Sequence, residues 1–101
     1  MKSAKRKFLR QRAHELKPVV MLGKNGKDER VVKALDEALR AHELVKLKFQ
    51  DFQDEQRAIA EDLAKETKAE VVSIVGHIAT FFRQNAKFEE RLIHIPREFQ
   101  D

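Results

Sequence analysis

VVMLGKNG, residues 19–26, is the stretch on which the predicted fold depends. Its four apolar residues are typical of a short strand that is buried on both sides or near the centre of a sheet. The two glycines, Gly23 and Gly26, let the backbone turn sharply and come close to a ligand, because neither carries a Cβ. A helical pattern begins directly afterwards, near Asp28. The stretch therefore predicts a strand, a tight turn and a helix start.

The turn Gly23–Gly26 has two interpretations. In the functional one, free N–H groups at the helix start and the charges of Lys24 and Lys27 form a phosphate-contacting tip, with Asn25 as a polar contact. In the structural one, Asn-Gly only supplies the positive φ of an ordinary turn, and short glycine motifs are common. The acids Asp28-Glu29 also oppose a phosphate at this helix start. The turn alone favours the structural interpretation, so the surrounding charges have to be considered.

The composition indicates one domain, residues 1–101, with a real core, because 42% of the residues are hydrophobic and 38% are charged. Cysteine is absent, which removes disulfides, thiolate zinc sites and cysteine nucleophiles and fits a reducing cytoplasm. No apolar run approaches the ~20 residues of a membrane span. The basic N-terminus has no apolar segment behind it, so it does not resemble a signal peptide. We therefore expect a cytoplasmic domain.

The net charge of +4 hides an uneven distribution. Residues 1–27 carry nine Lys or Arg and one acid, Glu15, whereas the rest of the chain carries twelve bases and sixteen acids. Residues 51–70 alone hold seven acids and three bases, so that side should repel nucleic acid. A basic end beside an acidic body indicates a polyanion bound on one side. A solvated basic helix with no partner is the alternative.

The first predicted element is a helix over residues 3–16, ended by Pro18. Five apolar residues, the last of them Leu16, recur at helical spacing and line one face. Such a helix could lie on a membrane, but its apolar face is short and has no tryptophan, so packing on a sheet is favoured. The basic residues of this helix that we assign to a binding patch are Arg6, Lys7, Arg10 and Arg12.

The next elements alternate between helix and strand. Residues 28–42 form the clearest amphipathic helix of the chain. Leu44–Phe49 alternates, which predicts a half-buried strand with Lys46 and Lys48 on its open face. Residues 54–67 are helical, and Asp51 or Asp54 is suited to cap that helix.

The remaining apolar runs are strand-like. Residues 71–75 and 78–82 flank Gly76-His77 and predict a hairpin with antiparallel strands. Residues 91–96 are predicted to add a short edge strand that Pro96 ends. The strands on either side of the second helix should be parallel and joined by a right-handed crossover. The fold class expected is a two-layer α/β sandwich in the order α-β-α-β-α-β-β, with a four-stranded mixed sheet.

The sequence contains few residue patterns that are typical of catalytic, metal or nucleotide-binding sites. Neither the Walker phosphate-binding motif nor the dinucleotide motif is present. No two of the four histidines stand at i, i+4, so a helix-borne metal site is not expected. Neither serine has a nucleophile context. His42 is either a packing residue or an RNA contact beside the lysine strand. We therefore assign no catalytic residue, no metal and no cofactor.

Four parts of the sequence carry a family resemblance: Ala13–Gly26, His42–Lys48, Val75–His77 with Phe82-Arg83, and Arg91–Pro96. Together they resemble the signatures of the CRM domain family, the chloroplast RNA splicing and ribosome maturation module. The last of them resembles the ending of the short bacterial stand-alone members, the YhbY type. The similarity runs in the right order from residue 5 to residue 96, but 52–70 match only in pattern, and residues 10–12 are bulkier than is usual.

The resemblance implies a fold like the C-terminal domain of bacterial translation initiation factor three. It also implies RNA binding with the Gly-x-x-Gly loop at the RNA surface, and association with ribosomal RNA precursors of the large subunit. The core would span about residues 3–83, with 84–101 as a tail. The complete set of predicted RNA-binding residues is Gly23, Lys24, Asn25, Gly26, Lys27, Arg6, Lys7, Arg10, Arg12, His42, Lys46 and Lys48.

Three functions follow from these observations. The first is a non-catalytic, monomeric RNA-binding domain that acts in ribosome assembly. The second is a protein-interaction module that docks on ribosomal proteins or assembly factors without direct RNA contact. The third, a small enzyme, has no supporting residues. Because exposed aromatic residues for base stacking are not evident, we expect RNA binding driven by shape and charge.

Overall fold

The computed structural model describes all residues, 1–101, and contains three helices and four strands. Three short 3-10 turns lie at Gln53–Glu55, Phe88–Glu90 and Arg97–Phe99. The order of elements is the predicted one. The helices and strands are α1 Ser3–Ala13, β1 Val20–Leu22, α2 Glu29–His42, β2 Leu44–Phe49, α3 Gln56–Thr67, β3 Glu70–Val75 and β4 Ile78–Phe82.

The four strands form one mixed sheet in the order β1-β2-β4-β3. β1 and β2 are parallel, as predicted for strands joined through a helix, and Met21 lies opposite Lys48. β4 is antiparallel to both β2 and β3, so the predicted hairpin around Gly76-His77 is confirmed. A bulge between Val71 and Ser73 interrupts the register of β3.

The sheet separates two hydrophobic cores. On one face, α2 and α3 pack against alternate residues of the strands, among them Leu47 and Phe49. On the other face, α1 covers Leu44 and Phe82 through Leu9 and other residues. The predicted α/β sandwich is thus present, and α1 with the C-terminal tail adds a partial third layer. The lysines of β2 lie on this second face, as the alternation predicts.

α1 is shorter than predicted. It ends at Ala13, and the N–H of Leu16 donates to the carbonyl of Ala13 at 3.0 Å in a tight turn that replaces the last helical turn. Because the chain must reverse here to enter β1, Leu16 leaves the apolar face of the helix and is 40% exposed. Its exposure matters for the surface described below.

The caps of α2 and α3 differ. The carboxylate of Asp28 accepts the N–H of Val31 at 3.1 Å and caps α2. The prediction that Asp51 or Asp54 caps α3 is wrong: Asp51 accepts the N–H of Phe52 instead, and a 3-10 turn leads into the helix without a side-chain cap. Phe52 has φ +54°, a turn conformation that the sequence did not indicate.

The predicted edge strand at residues 91–96 is absent. The N–H groups of Leu92 and Ile93 bond instead to Glu43, which is only 1% exposed. The Glu43 carboxylate accepts the N–H groups of Asn85 at 2.6 Å and of Leu92 and Ile93 at 2.8 Å each. The tail therefore lies across the α1 side of the sheet, with Ile93 and Ile95 in the second core. A buried carboxylate takes the place of a neighbouring strand.

Replacing Glu43 should destabilise the fold. Glu43→Ala leaves three backbone N–H groups of the tail without an acceptor, and the expected loss is about 2–4 kcal/mol of unfolding free energy. Urea denaturation followed by circular dichroism measures it. Glu37→Ala on the exposed face of α2 is the control and should change stability by less than about 0.5 kcal/mol. Equal stability of the two variants would show that the tail is held by its isoleucines alone.

Candidate nucleic-acid interface

The loop Gly23–Gly26 is a closed turn at the end of β1. The N–H of Gly26 donates to the carbonyl of Gly23 at 2.9 Å, and the N–H of Asp28 donates to the carbonyl of Gly26 at 3.0 Å. Lys24 and Asn25 occupy the tip and are exposed. Their backbone N–H groups form no hydrogen bond within the chain. The tip therefore offers free donors that can bind an anionic oxygen.

Gly23 and Gly26 differ in backbone conformation and in the space around them. Gly26 is buried with φ +68°, and a Cβ at this position would lie 3.3 Å from the ring of Phe52. The structural interpretation of the turn therefore holds for Gly26. Gly23 has no positive φ, and a Cβ added there would have the Gln50 side chain as its nearest neighbour, at 4.0 Å. Nothing inside the protein requires glycine at position 23.

Lys27 points away from the loop. Its Nζ donates to Glu66 of α3 at 2.6 Å, and this hydrogen bond raises the pKa of Lys27. The structure thus does not bring Lys27 together with the tip, although the sequence placed it there. The ion pair joins the start of α2 to α3 instead.

Two predicted residues of α1 also lie elsewhere. Arg6 donates to the carbonyls of Val71 and Val72, at 3.1 and 2.6 Å, where the bulge turns both towards the helix. Arg6 therefore fastens α1 to β3. Lys7 is exposed and lines neither of the two cavities described next.

Two cavities flank the C-terminal end of α1, and Lys46 lines both. The first, about 390 Å³, lies between the end of α1, the start of β2 and the tail, and we call it the α1–tail cavity. The second, about 350 Å³, lies between α1 and the β3–β4 hairpin. Neither is lined by a carboxylate. Their cationic and histidine residues are Arg12, Lys17, His42 and Lys46 in the first, and Arg10, His14 and Lys46 in the second.

The acidic residues line different cavities. A cavity of about 580 Å³ at the side of α2 and α3 is lined by four acids, among them Asp28 and Glu66. Another, beside Phe52, is lined by Asp51, Asp54 and Glu55. The charges that the sequence separates along the chain are therefore also separated in space.

The ion pairs within the chain neutralise basic residues outside the two cavities beside α1. Five basic residues form ion pairs within the chain, and none of them lines the two cavities beside α1. The residues that remain unpaired beside α1, on β2 and at the loop make up what we call the basic face. Its members are Arg10, Arg12, His14, Lys17, Lys24, His42, Lys46 and Lys48.

β1 connects the parts of the basic face. Val19, just before the strand, lines the α1–tail cavity, Met21 lies opposite Lys48, and the loop begins at Gly23. The sequence identified six members of this face but not His14 and Lys17. The spacing of Arg10 and His14 at i, i+4 places both on one side of a helix and was a usable signal.

The sequence model of the CRS1 / YhbY (CRM) domain matches residues 1–83. The chain belongs to the CRM domain family. A probable RNA-binding protein of Methanocaldococcus jannaschii is 40% identical over 96 residues, which cover 92% of this chain and 71% of that protein. An RNA-binding protein of Haemophilus influenzae is 38% identical over 99 residues and 97% of both chains.

A solved structure has the same fold as this CRM domain. It is a solution structure of a Staphylococcus aureus protein described as a candidate RNA-binding protein, with a TM-score of 0.75 and 28% identity. The similarity covers 93% of this chain and all of the other. No helix of this CRM domain is both long and apolar enough to cross a bilayer. No three His, Cys, Asp or Glu side chains are grouped to hold a metal ion.

Substituting the two glycines should separate their roles. Gly26→Ala should destabilise this CRM domain by about 1–2 kcal/mol or more, because it places a Cβ at positive φ and against Phe52. Gly23→Ala should change stability by less than about 0.5 kcal/mol. Chemical denaturation measures both. Equal losses in the two variants would contradict the different packing of the two positions.

Proposed function

We propose that this CRM domain binds RNA through the loop Gly23–Gly26 and the basic face, and that it acts without catalysis, as a cytoplasmic monomer, in assembly of the large ribosomal subunit. The ligand would be precursor ribosomal RNA. The observation that supports the RNA contact is the pair of carboxylate-free cavities beside the C-terminal end of α1. β1 joins them to a loop with unpaired N–H donors. The names of the relatives support RNA as the ligand.

The loop would act on the RNA backbone. The free N–H groups of Lys24 and Asn25 can donate to phosphate oxygens, and the Lys24 ammonium adds a full charge that no acid of the chain neutralises. The open space at Gly23 allows the RNA backbone to approach closely. Lys48, opposite Met21, would continue the contact along the sheet. Such contacts position RNA and select no sequence.

A protein-interaction module is the second candidate function. Phe88 and Leu92 of the tail are 68% and 56% exposed, and exposed apolar residues are common at protein contacts. A ribosomal protein or assembly factor would then be the partner, and the basic face would merely be solvated. The two candidates differ in their dependence on salt.

Lys24→Ala should weaken binding to all RNAs alike and reduce the salt slope by about one unit, because it removes one phosphate contact. Fluorescence anisotropy with labelled RNA measures both quantities. Lys65→Ala on α3 is the matched control and should bind as the wild type does. Lys68 is a poorer control, since its φ of +58° makes it part of a helix cap. Normal binding by Lys24→Ala together with weak binding by Lys65→Ala would place the RNA on the opposite side.

The salt dependence should reveal the charged contacts of the whole face. Contacts to four or five phosphates of a single strand predict a slope of log affinity on log salt of roughly −3, at about −0.7 per phosphate. Titrations from low to moderate salt give this slope. An affinity that does not change with salt would favour the protein-interaction module.

A further inference from the structure

We propose that the α1–tail cavity holds one unpaired base of the bound RNA, with the flanking phosphates on the surrounding cations. The inference rests on the RNA-binding function proposed above and deepens it, because it names the form of RNA that the basic face prefers. An unpaired base can turn into a cavity directly, whereas a base inside a duplex must first be unpaired and unstacked.

The size and walls of the cavity suit a base. Its volume is about 390 Å³, and most of its lining residues are apolar. Three of these, Leu16, Val19 and Leu92, are 40%, 59% and 56% exposed, which is unusual for large apolar residues grouped in one concavity. Concave apolar sites with a few polar groups at the edge are typical of ligand pockets. A flat, weakly polar ring fits such walls.

The charge of the cavity identifies the kind of ligand. Arg12, Lys17, His42 and Lys46 line it, and no carboxylate does. This complements a ligand that carries negative charge beside an apolar body, as a nucleotide does, and does not favour a wholly apolar peptide. Arg12 and His42 also carry planar groups, and guanidinium and imidazole rings stack on bases. The chain therefore has planar stacking groups although it lacks tryptophan and tyrosine.

The position of the cavity relative to the loop fits one continuous ligand. Val19 lines the cavity and Gly23 begins the loop, and the four steps of extended chain between them span roughly 13 Å. Met21 and Lys48 lie between them on the same face of the sheet. A single strand whose backbone contacts the loop can pass over Lys48 and place a base in the cavity.

The tail forms the cavity before any ligand binds. The N–H of Leu92 bonds to the buried carboxylate of Glu43 at 2.8 Å, and the adjacent Ile93 lies in the second core. The wall contributed by Leu92 is therefore fixed, which lowers the ordering cost of binding. Leu92 and Ile93 lie beyond residues 1–83, the part that matches the family model. The cavity is thus a feature that the matched residues alone do not build.

Methyl-resolved NMR of the full chain tests the site directly. Titration with AMP and with UMP should shift the methyl signals of Leu16, Val19 and Leu92, whereas ribose 5-phosphate should leave them unchanged. Equal shifts with ribose 5-phosphate would mean that the cavity takes phosphate only, and that result would overturn the proposal. The absence of any methyl shift with nucleotides would also overturn it.

A variant separates this proposal from the proposed function. The double substitution Leu16→Ala with Leu92→Ala removes exposed apolar walls and no charge, so the fold should persist. It should lower affinity for a 12-nucleotide single-stranded RNA by about 5–10-fold and leave affinity for a 12-base-pair RNA duplex unchanged. Phe88→Ala, an exposed tail residue outside the cavity, is the control.

The outcomes of the two variants are distinguishable. If Lys24→Ala weakens RNA binding while the double variant binds both RNAs like the wild type, the cavity proposal is wrong and the RNA-binding function stands. If the double variant loses both RNAs equally, the cavity does not select unpaired bases. If the wild type binds neither RNA, both proposals fail.

Discussion

The buried carboxylate of Glu43 holds together the parts of this domain that carry its proposed function. The carboxylate accepts hydrogen bonds from three N–H groups of the tail. The backbone carbonyl of Glu43 accepts a fourth, from the N–H of Arg83 just after β4. Burying a carboxylate is costly unless its oxygens are fully hydrogen-bonded, and here every contact comes from a backbone donor. The tail is therefore fixed against the α1 side of the sheet. That placement closes the second core and gives the α1–tail cavity its third wall.

The basic face results from how the charges are paired. Arg83 donates to the carboxylate and carbonyl of Asp36 and to the carbonyl of Thr67, so it joins α2, α3 and β4. Arg6 likewise donates to two backbone carbonyls at the bulge of β3 and so joins α1 to that strand. Arg83 and Arg6 therefore stabilise the fold, whereas the basic residues beside the end of α1 form no ion pair. Although the net charge is modest, the unpaired basic residues are concentrated on one side, and that distribution attracts a polyanion.

The sequence predicted the parts of the fold that depend on local patterns. The alternation of Leu44–Phe49 and the spacing of residues 28–42 determine which faces are buried, and the short strand before Gly23 sets the parallel pair. Long-range bonds could not be predicted. Nothing in His42-Glu43 indicates that the carboxylate meets residues about fifty positions later, or that Lys27 meets Glu66. The structure therefore brings six of the predicted RNA-binding residues onto the basic face, and it places Arg6 and Lys27 elsewhere because each has a partner inside the fold.

Amide-resolved NMR during titration with a short single-stranded RNA tests the central claim most directly. The account predicts that the N–H signals of Lys24 and Asn25 shift first and furthest, that those of Lys46 and Lys48 follow, and that those of Glu61 and Lys65 on α3 stay in place. Because the N–H groups of Lys24 and Asn25 have no hydrogen-bond partner in the free protein, binding a phosphate should shift their signals strongly. Shifts confined to α2 and α3, with the loop unchanged, would contradict the account.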